Sequence, residues 1–396
     1  MGSQYNHGTS NFADYSYFGK RHARYPLGFD GSAAGINMIG VSSKRPVDLR
    51  SDTVTKPTPA MFERMANAEL GDDGRGDDPT VRELERVSAA KLGKEAGLFL
   101  PSGTMSNQVA ILAHARSKGE VIGEASSHIF RSEMGGLSLI AGLYPRPLPG
   151  TRGAMDVASL RGSLRRPGIT QDRLGTAVVC MEQTHNLAGG SVLSLEHMRE
   201  VRDLASQMDV PVHLDGARIF NASIALGVSA AVIAAHADSA TFCVSKGLSA
   251  PVGSVLTGSR EFVSRARGFR RMLGGNMRQA GLLAACGLVA LENMIDRLAD
   301  DHARARTLAQ GLQVIDAAWV NIDSVVTNIV MVHIKNSMCS AQRWVNLLAD
   351  HDILAAAAQS DVIRLVTHRH ISEADVDRAI SAFGRIRAAI EPRESH

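Results

Sequence analysis

Two residues carry most of the chemical information in this chain. Asp215 follows an apolar run in Pro-Val-His-Leu-Asp-Gly-Ala-Arg (211–218), and Lys246 follows another in Ala-Thr-Phe-Cys-Val-Ser-Lys-Gly-Leu (240–248). A lysine amine can bind an aldehyde covalently, and a carboxylate can keep a heterocyclic nitrogen protonated. Pyridoxal phosphate needs both partners, because its protonated ring is what withdraws electrons from a bound amino acid. Small residues after Lys246 (Ser249-Ala250-Pro251-Val252-Gly253) leave room for a planar group. A third segment, Ser102-Gly103-Thr104, joins an apolar run to an Ala-rich helical stretch. Amides at such a helix start bind phosphate, and Gly permits close approach. Each residue also has a plainer reading: Asp215 as the start of a turn, Lys246 as a solvated loop lysine, and 102–104 as a capped turn.

The elements that must position these residues read as α/β from Asp48 onward. Gly97–Leu100, Ala177–Met181, Val212–Leu214 and Thr241–Val244 are short apolar runs of strand type. Leu195, Met198, Val201, Leu204 and Met208 mark one helix face, with Ser194 as N-cap. Residues 177–214 therefore predict a βαβ unit with parallel strands, and both candidate residues fall at strand ends, where α/β ligands bind. The chain turns helical after Gly281, and residues from about 313 onward read as a smaller α+β lobe, with strands at Ile329–Ile334 and Val362–Val366. A final helix spans about Ser372–Ile390. The expected organisation is an N-terminal arm over 1–45, a large domain over 46–295 and a small domain over 296–396. The arm holds four of the five tyrosines among Gly, Ser, Asn and His with no periodicity, so it reads as flexible. It contains no apolar stretch adequate for a secretory signal; a transit peptide, or translation starting at Met38, is the other reading.

Composition excludes several classes. At 396 residues the chain suits two lobes, and 44 % apolar with 21 % charged residues is ordinary for a soluble enzyme. A net charge of +3, with basic residues dispersed, argues against a nucleic-acid surface. No apolar run is long enough to span a bilayer. Cys180, Cys243, Cys286 and Cys339 are widely spaced without metal-ligand spacing, which fits free thiols in a reducing, cytoplasmic setting. No GxGxxG follows the first strand, against a nicotinamide dehydrogenase. The Asp72-Asp73 and Asp77-Asp78 pairs read as a solvated turn capping the next helix, not as a metal site.

Eight segments in order carry a resemblance. They are Asp-Leu-Arg-Ser-Asp-Thr-Val-Thr (48–55), Gly-Asp-Asp-Pro-Thr-Val (76–81), Pro-Ser-Gly-Thr-Met-Ser-Asn-Gln (101–108), Glu-Gln-Thr-His-Asn (182–186) with Gly189-Gly190, His-Leu-Asp-Gly-Ala-Arg (213–218), Ser-Lys-Gly-Leu-Ser-Ala-Pro-Val-Gly-Ser (245–254), Met-Arg-Gln-Ala-Gly (277–281) and Arg-Leu-Val-Thr-His (364–368). With them the chain resembles the low-specificity L-threonine aldolases, in the β-eliminating-lyase branch of fold type I pyridoxal-phosphate enzymes. The resemblance implies a large α/β domain with a mostly parallel seven-stranded sheet and a small C-terminal α+β domain. It implies cleavage of L-β-hydroxy-α-amino acids to glycine and an aldehyde. Lys246 would carry the cofactor, Asp215 would pair with its ring nitrogen, and His128 would stack on the ring and help deprotonate the substrate hydroxyl. His185 would be a second candidate base. Gly103 and Thr104 would hold the phosphate, and Arg278 would reach it from a neighbouring subunit of a homo-oligomer, as in a dimer of dimers. Ser51, Arg218 and Arg364 would bind the substrate carboxylate, with Arg218 also touching the cofactor.

β-Elimination, racemisation and glycyl transfer to another aldehyde use the same cofactor and remain alternatives, as does a non-catalytic protein on the same scaffold. The chain departs from the family at Arg75, where an aromatic residue near the substrate is usual, and at Asn276 and His370. Arg75 raises the expectation of a substrate with an acidic side chain; its plainer reading is a solvated arginine.

Overall fold

The computed structural model describes residues 45–390, apart from 117, 170–171 and 335–338. The expected N-terminal arm lies outside the described residues, save Arg45 at its end. A seven-stranded sheet forms the centre, in the order Ala96–Leu100, Ser254–Gly258, Ser239–Cys243, Val212–Asp215, Thr176–Glu182, Glu120–Glu124, Tyr144–Leu148. All strands run the same way except Ser254–Gly258, which is antiparallel to both neighbours. The strand sequences follow from this: Thr-Ala-Val-Val-Cys-Met-Glu (176–182) is buried along its whole length because helices cover both faces of a parallel sheet. The expected βαβ unit is present as Thr176–Glu182, the helix Leu195–Gln207 and Val212–Asp215. Ser194 caps that helix through His197 N at 3.1 Å.

Register does the positioning. Glu182 pairs with Asp215, and Asp215 with Thr241, so the carboxylates and the start of the Lys246 turn emerge side by side at one sheet edge. The helix Gly103–His114 packs on the strands bearing them, capped by Ser102 through Met105 N at 3.2 Å.

A second core forms around Trp319, Trp344 and Phe383, with ring centroids 5.2 Å (Trp319–Trp344) and 5.6 Å (Trp344–Phe383) apart. It lies against a three-stranded antiparallel sheet ordered Ile329–His333, Val362–Val366, Ala356–Gln359. Val47 and Leu49 also belong to this core, and Val47–Asp48 pairs in parallel with Ile353–Leu354. Residues expected to open the large domain thus pack with the C-terminal one, because two apolar side chains flanking one polar residue suit a strand with one buried face.

The acidic turn at 72–78 is a correction. Capping is present: Asp78 accepts from Val81 N at 3.0 Å at the head of the helix Pro79–Lys91. The turn is not solvated throughout, because Asp78 and Asp73 are both buried. Asp73 forms an ion pair with the equally buried Arg270 at 3.0 Å. A buried carboxylate persists only when paired or hydrogen-bonded, and sequence alone did not disclose that partner.

Candidate active site

Lys246 and Asp215 line one cleft of about 180 Å³, together with Gly103, Thr104, Asn107, His128, Glu182, Asn186 and Arg218. Lys246 stands just beyond the strand Ser239–Cys243, and its carbonyl accepts from Thr55 Oγ1 at 2.7 Å. Burial would raise the Asp215 pKa. The cationic groups of His128 and Lys246, Asn107 Nδ2 at 2.7 Å and Ala217 N at 3.0 Å outweigh that, and the carboxyl is held ionised below its ordinary range.

His128 heads a short helical turn after the strand Glu120–Glu124, and its backbone N–H donates to Glu182 at 2.6 Å. Its Nδ1 lies 3.0 Å from Oε1 of Glu133. That hydrogen bond is the main reason the His128 pKa is raised, against an opposing effect of burial. Glu133 is in turn held by Asn107 Nδ2 at 2.8 Å and Gln108 Nε2 at 2.6 Å. A base must lose its proton to act, so kcat/KM is expected to rise with pH through a pKa above the ordinary histidine value of 6.5. Glu133→Gln removes the anion and should move that acid limb to lower pH. A pH profile with the limb unmoved would remove His128 from the role.

Other expected residues fall in different places. His185 is fully buried, with Nε2 in an ion-pair contact with Glu124 at 2.9 Å and Glu182 at 3.8 Å, and it is absent from the cleft lining. Burial opposes its charge, but the two carboxylates prevail and its pKa is raised. The backbone of Gly153 presses on the ring: a Cβ there would stand 2.5 Å from His185 Cγ. His185 is therefore enclosed by Gly153, Glu124 and Glu182 and is not among the residues that line the cleft. Arg218 is already occupied, donating from Nε at 2.8 Å and Nη2 at 2.7 Å to Asp52. Arg218 Nη1 (3.4 Å) and Arg364 Nη1 (3.0 Å) both reach the Oδ1 of Asn186. Ser51 caps its own turn through Thr53 N at 3.2 Å. Arg75 and Arg278 do not line the cleft; both are exposed and meet at Asp72, 3.6 Å and 3.2 Å away.

Residues 48–337 match the beta-eliminating lyase family. The chain belongs to that family. It is 43 % identical to a probable low-specificity L-threonine aldolase of Arabidopsis thaliana, covering 88 % of this chain and 99 % of that one. It is 38 % identical to the low specificity L-threonine aldolase of Escherichia coli, covering 82 % and 95 %. Among solved structures, the threonine aldolase of Leishmania major superposes with a TM-score of 0.72 at 19 % identity, covering 86 % and 99 %, which supports the shared fold. Pyridoxal phosphate is the cofactor of this lyase family, and the residues here fit it. An ionised buried carboxylate and an amine share one cleft. The turn at Gly103 has no room for a side chain, since a Cβ would stand 2.8 Å from Cys243 Sγ. The first-turn amides of Gly103 and Thr104 would be the groups to hold its phosphate.

Asp52, Asn107, Glu133 and Glu182 were not singled out from sequence. Three of them lie inside the quoted segments, which is the one signal the sequence carries for them. Glu133 carried no such signal.

Proposed function

We propose that the protein cleaves L-threonine, L-allo-threonine or related β-hydroxy-α-amino acids to glycine and an aldehyde. The observation that carries the reading is His128, backed by Glu133, in the same cleft as Lys246, Asp215 and Arg218. Two guanidiniums, Arg218 and Arg364, share one neutral Asn186 oxygen, an arrangement that suits an incoming carboxylate. Anchoring that carboxylate would fix how the substrate is oriented in the cleft, and with it which bond to the α-carbon is set to break. Bound pyridoxal phosphate supplies the electron sink for the carbanion left at the α-carbon. Asp215, held ionised, would keep its ring nitrogen protonated. His128 takes the β-hydroxyl proton as the carbon–carbon bond breaks, a contribution of roughly 10²–10⁴-fold.

Arg75 and Arg278, joined through Asp72, are exposed in one chain. We place them at a neighbouring subunit's cleft in a homo-oligomer, a dimer of dimers, with Arg278 reaching the phosphate and Arg75 selecting acidic side chains. No described helix is long and apolar enough to cross a membrane. The four cysteines are free thiols, which suits the reducing conditions of a cytoplasmic enzyme.

The test is product analysis across threonine, allo-threonine, phenylserine and hydroxyaspartate. Glycine plus aldehyde is expected, and a keto acid in its place would overturn the reading in favour of β-elimination. Hydroxyaspartate should be favoured, and Arg75→Tyr should erase that preference. A panel with no preference for the acidic substrate would end the role of Arg75 alone.

A further inference from the structure

Behind Asp215 a line of polar side chains runs through the protein interior. Asp215 Oδ2 accepts from Asn107 Nδ2 at 2.7 Å. Asn107 Oδ1 stands 3.1 Å from His213 Nε2, and His213 Nδ1 stands 2.8 Å from Ser239 Oγ. The same Oγ lies 2.7 Å from His114 Nε2. All five side chains are buried, the least covered being His114 at 8 % exposure.

Secondary structure explains the alignment. His213 and Asp215 are two apart on one strand and so share a face. His213 pairs in register with Ser239 on the next strand. Asn107 and His114 lie about two turns apart on the helix Gly103–His114, hence on its same side.

Chemistry at one end orients every proton in the line. The Asn107 nitrogen faces two carboxylates, Asp215 and Glu133, at 2.7 and 2.8 Å. Carboxylates only accept, so the amide NH₂ points at them and the amide oxygen points at His213. That oxygen cannot donate, so His213 Nε2 carries the hydrogen. Burial pushes the His213 pKa down to about 4, so the ring is neutral at pH 7 and its Nδ1 takes the Ser239 hydroxyl hydrogen. The Ser239 oxygen then accepts from His114, also kept neutral by burial. Every donor points toward Asp215, and aligned bonds in a low dielectric strengthen one another.

We infer that His213 is a positioning residue: by locking the Asn107 amide it holds Asp215 at the cofactor's ring nitrogen and, through the amide's second hydrogen, holds Glu133 behind His128. The inference rests on the assignment of Asp215 to the ring nitrogen. Without His213 the amide is held at its nitrogen alone, by the two carboxylates, and loses the hydrogen bond that fixes its oxygen, so both carboxylates are held less firmly.

The test has two parts. In nitrogen-15 histidine spectra of the cofactor-free protein, His213 should be a neutral Nε2–H tautomer at neutral pH. In His213→Leu, cofactor affinity should fall by about tenfold, the low end of what a hydrogen bond to a charged group supplies. The visible band of the Lys246-bound cofactor should also titrate at higher pH. A less firmly protonated ring repels the proton on the lysine nitrogen less. His213→Gln places an amide N–H near the former Nε2 and should restore both values. An Nδ1–H or cationic His213, or a Leu variant with unchanged affinity and titration, would overturn the inference. Should the Leu variant fail to fold, the wild-type tautomer and the Gln variant decide. The tautomer and affinity need no substrate, so a failed aldolase assay would count against the substrate reading and leave this one standing.

Discussion

Lys246→Ala is expected to abolish glycine formation and the visible absorption of the lysine-bound cofactor, while the protein stays folded. Among the described residues lining the cleft, Lys246 supplies the one amine. Its place is set by backbone contacts an alanine keeps, chiefly Thr55 to the Lys246 carbonyl. Asp215 and the turn at Gly103 remain to hold cofactor without a covalent bond. Arg278→Ala should instead weaken cofactor retention. Co-folding the two variants should then recover activity above either alone, since a mixed pair offers one site with an intact Lys246 and a neighbour's Arg278. Retained turnover in Lys246→Ala would end the enzymatic account; absence of complementation would end the shared-site proposal only.

Asp52→Ala is expected to lower unfolding free energy by about 3–5 kcal/mol, the range for removing one partner of a buried ion pair. Arg218 and Asp52 have side chains 6 % and 0 % exposed and are joined by two hydrogen bonds. Asp52 also accepts from Asn328 at 3.3 Å, so it ties the segment at 52 to both cores. Removing it strands a guanidinium beside Arg364, whose pKa burial and the Arg218 charge already depress. The pH sign follows from linkage. Burial would raise the Asp52 pKa, but Arg218 holds it well below the ordinary 3.8. The pair's stability is therefore fully present above that ordinary value and is lost as pH falls through the depressed one. Urea denaturation of the cofactor-free variant measures the effect; a loss under about 1 kcal/mol, the range of an exposed pair, would contradict it.

Much of the site was legible because strand ends and helix starts are local features. Asp215, Lys246 and the Gly103 turn could be placed from runs of a few residues, and all three share the cleft. His185 shows the limit. Its residue type suits a base, yet Gly153 and Glu124, distant in sequence, enclose its ring, and it is not among the residues that line the cleft. Arg218 was expected to be open to a carboxylate, and Asp52 already engages it from a segment far upstream. Glu133 escaped notice because its role depends on Asn107, Gln108 and His128 converging on it.

Sequence alone determined the α/β class, the family and the pairing of Lys246 with Asp215 that the shared cleft displays, because residue type and short-range order carry that information. Tertiary structure alone decided which histidine faces the cleft, which arginines are already paired and which hydrogen each buried amide donates. Those are properties of pairs distant along the chain, and only packing brings their atoms within reach.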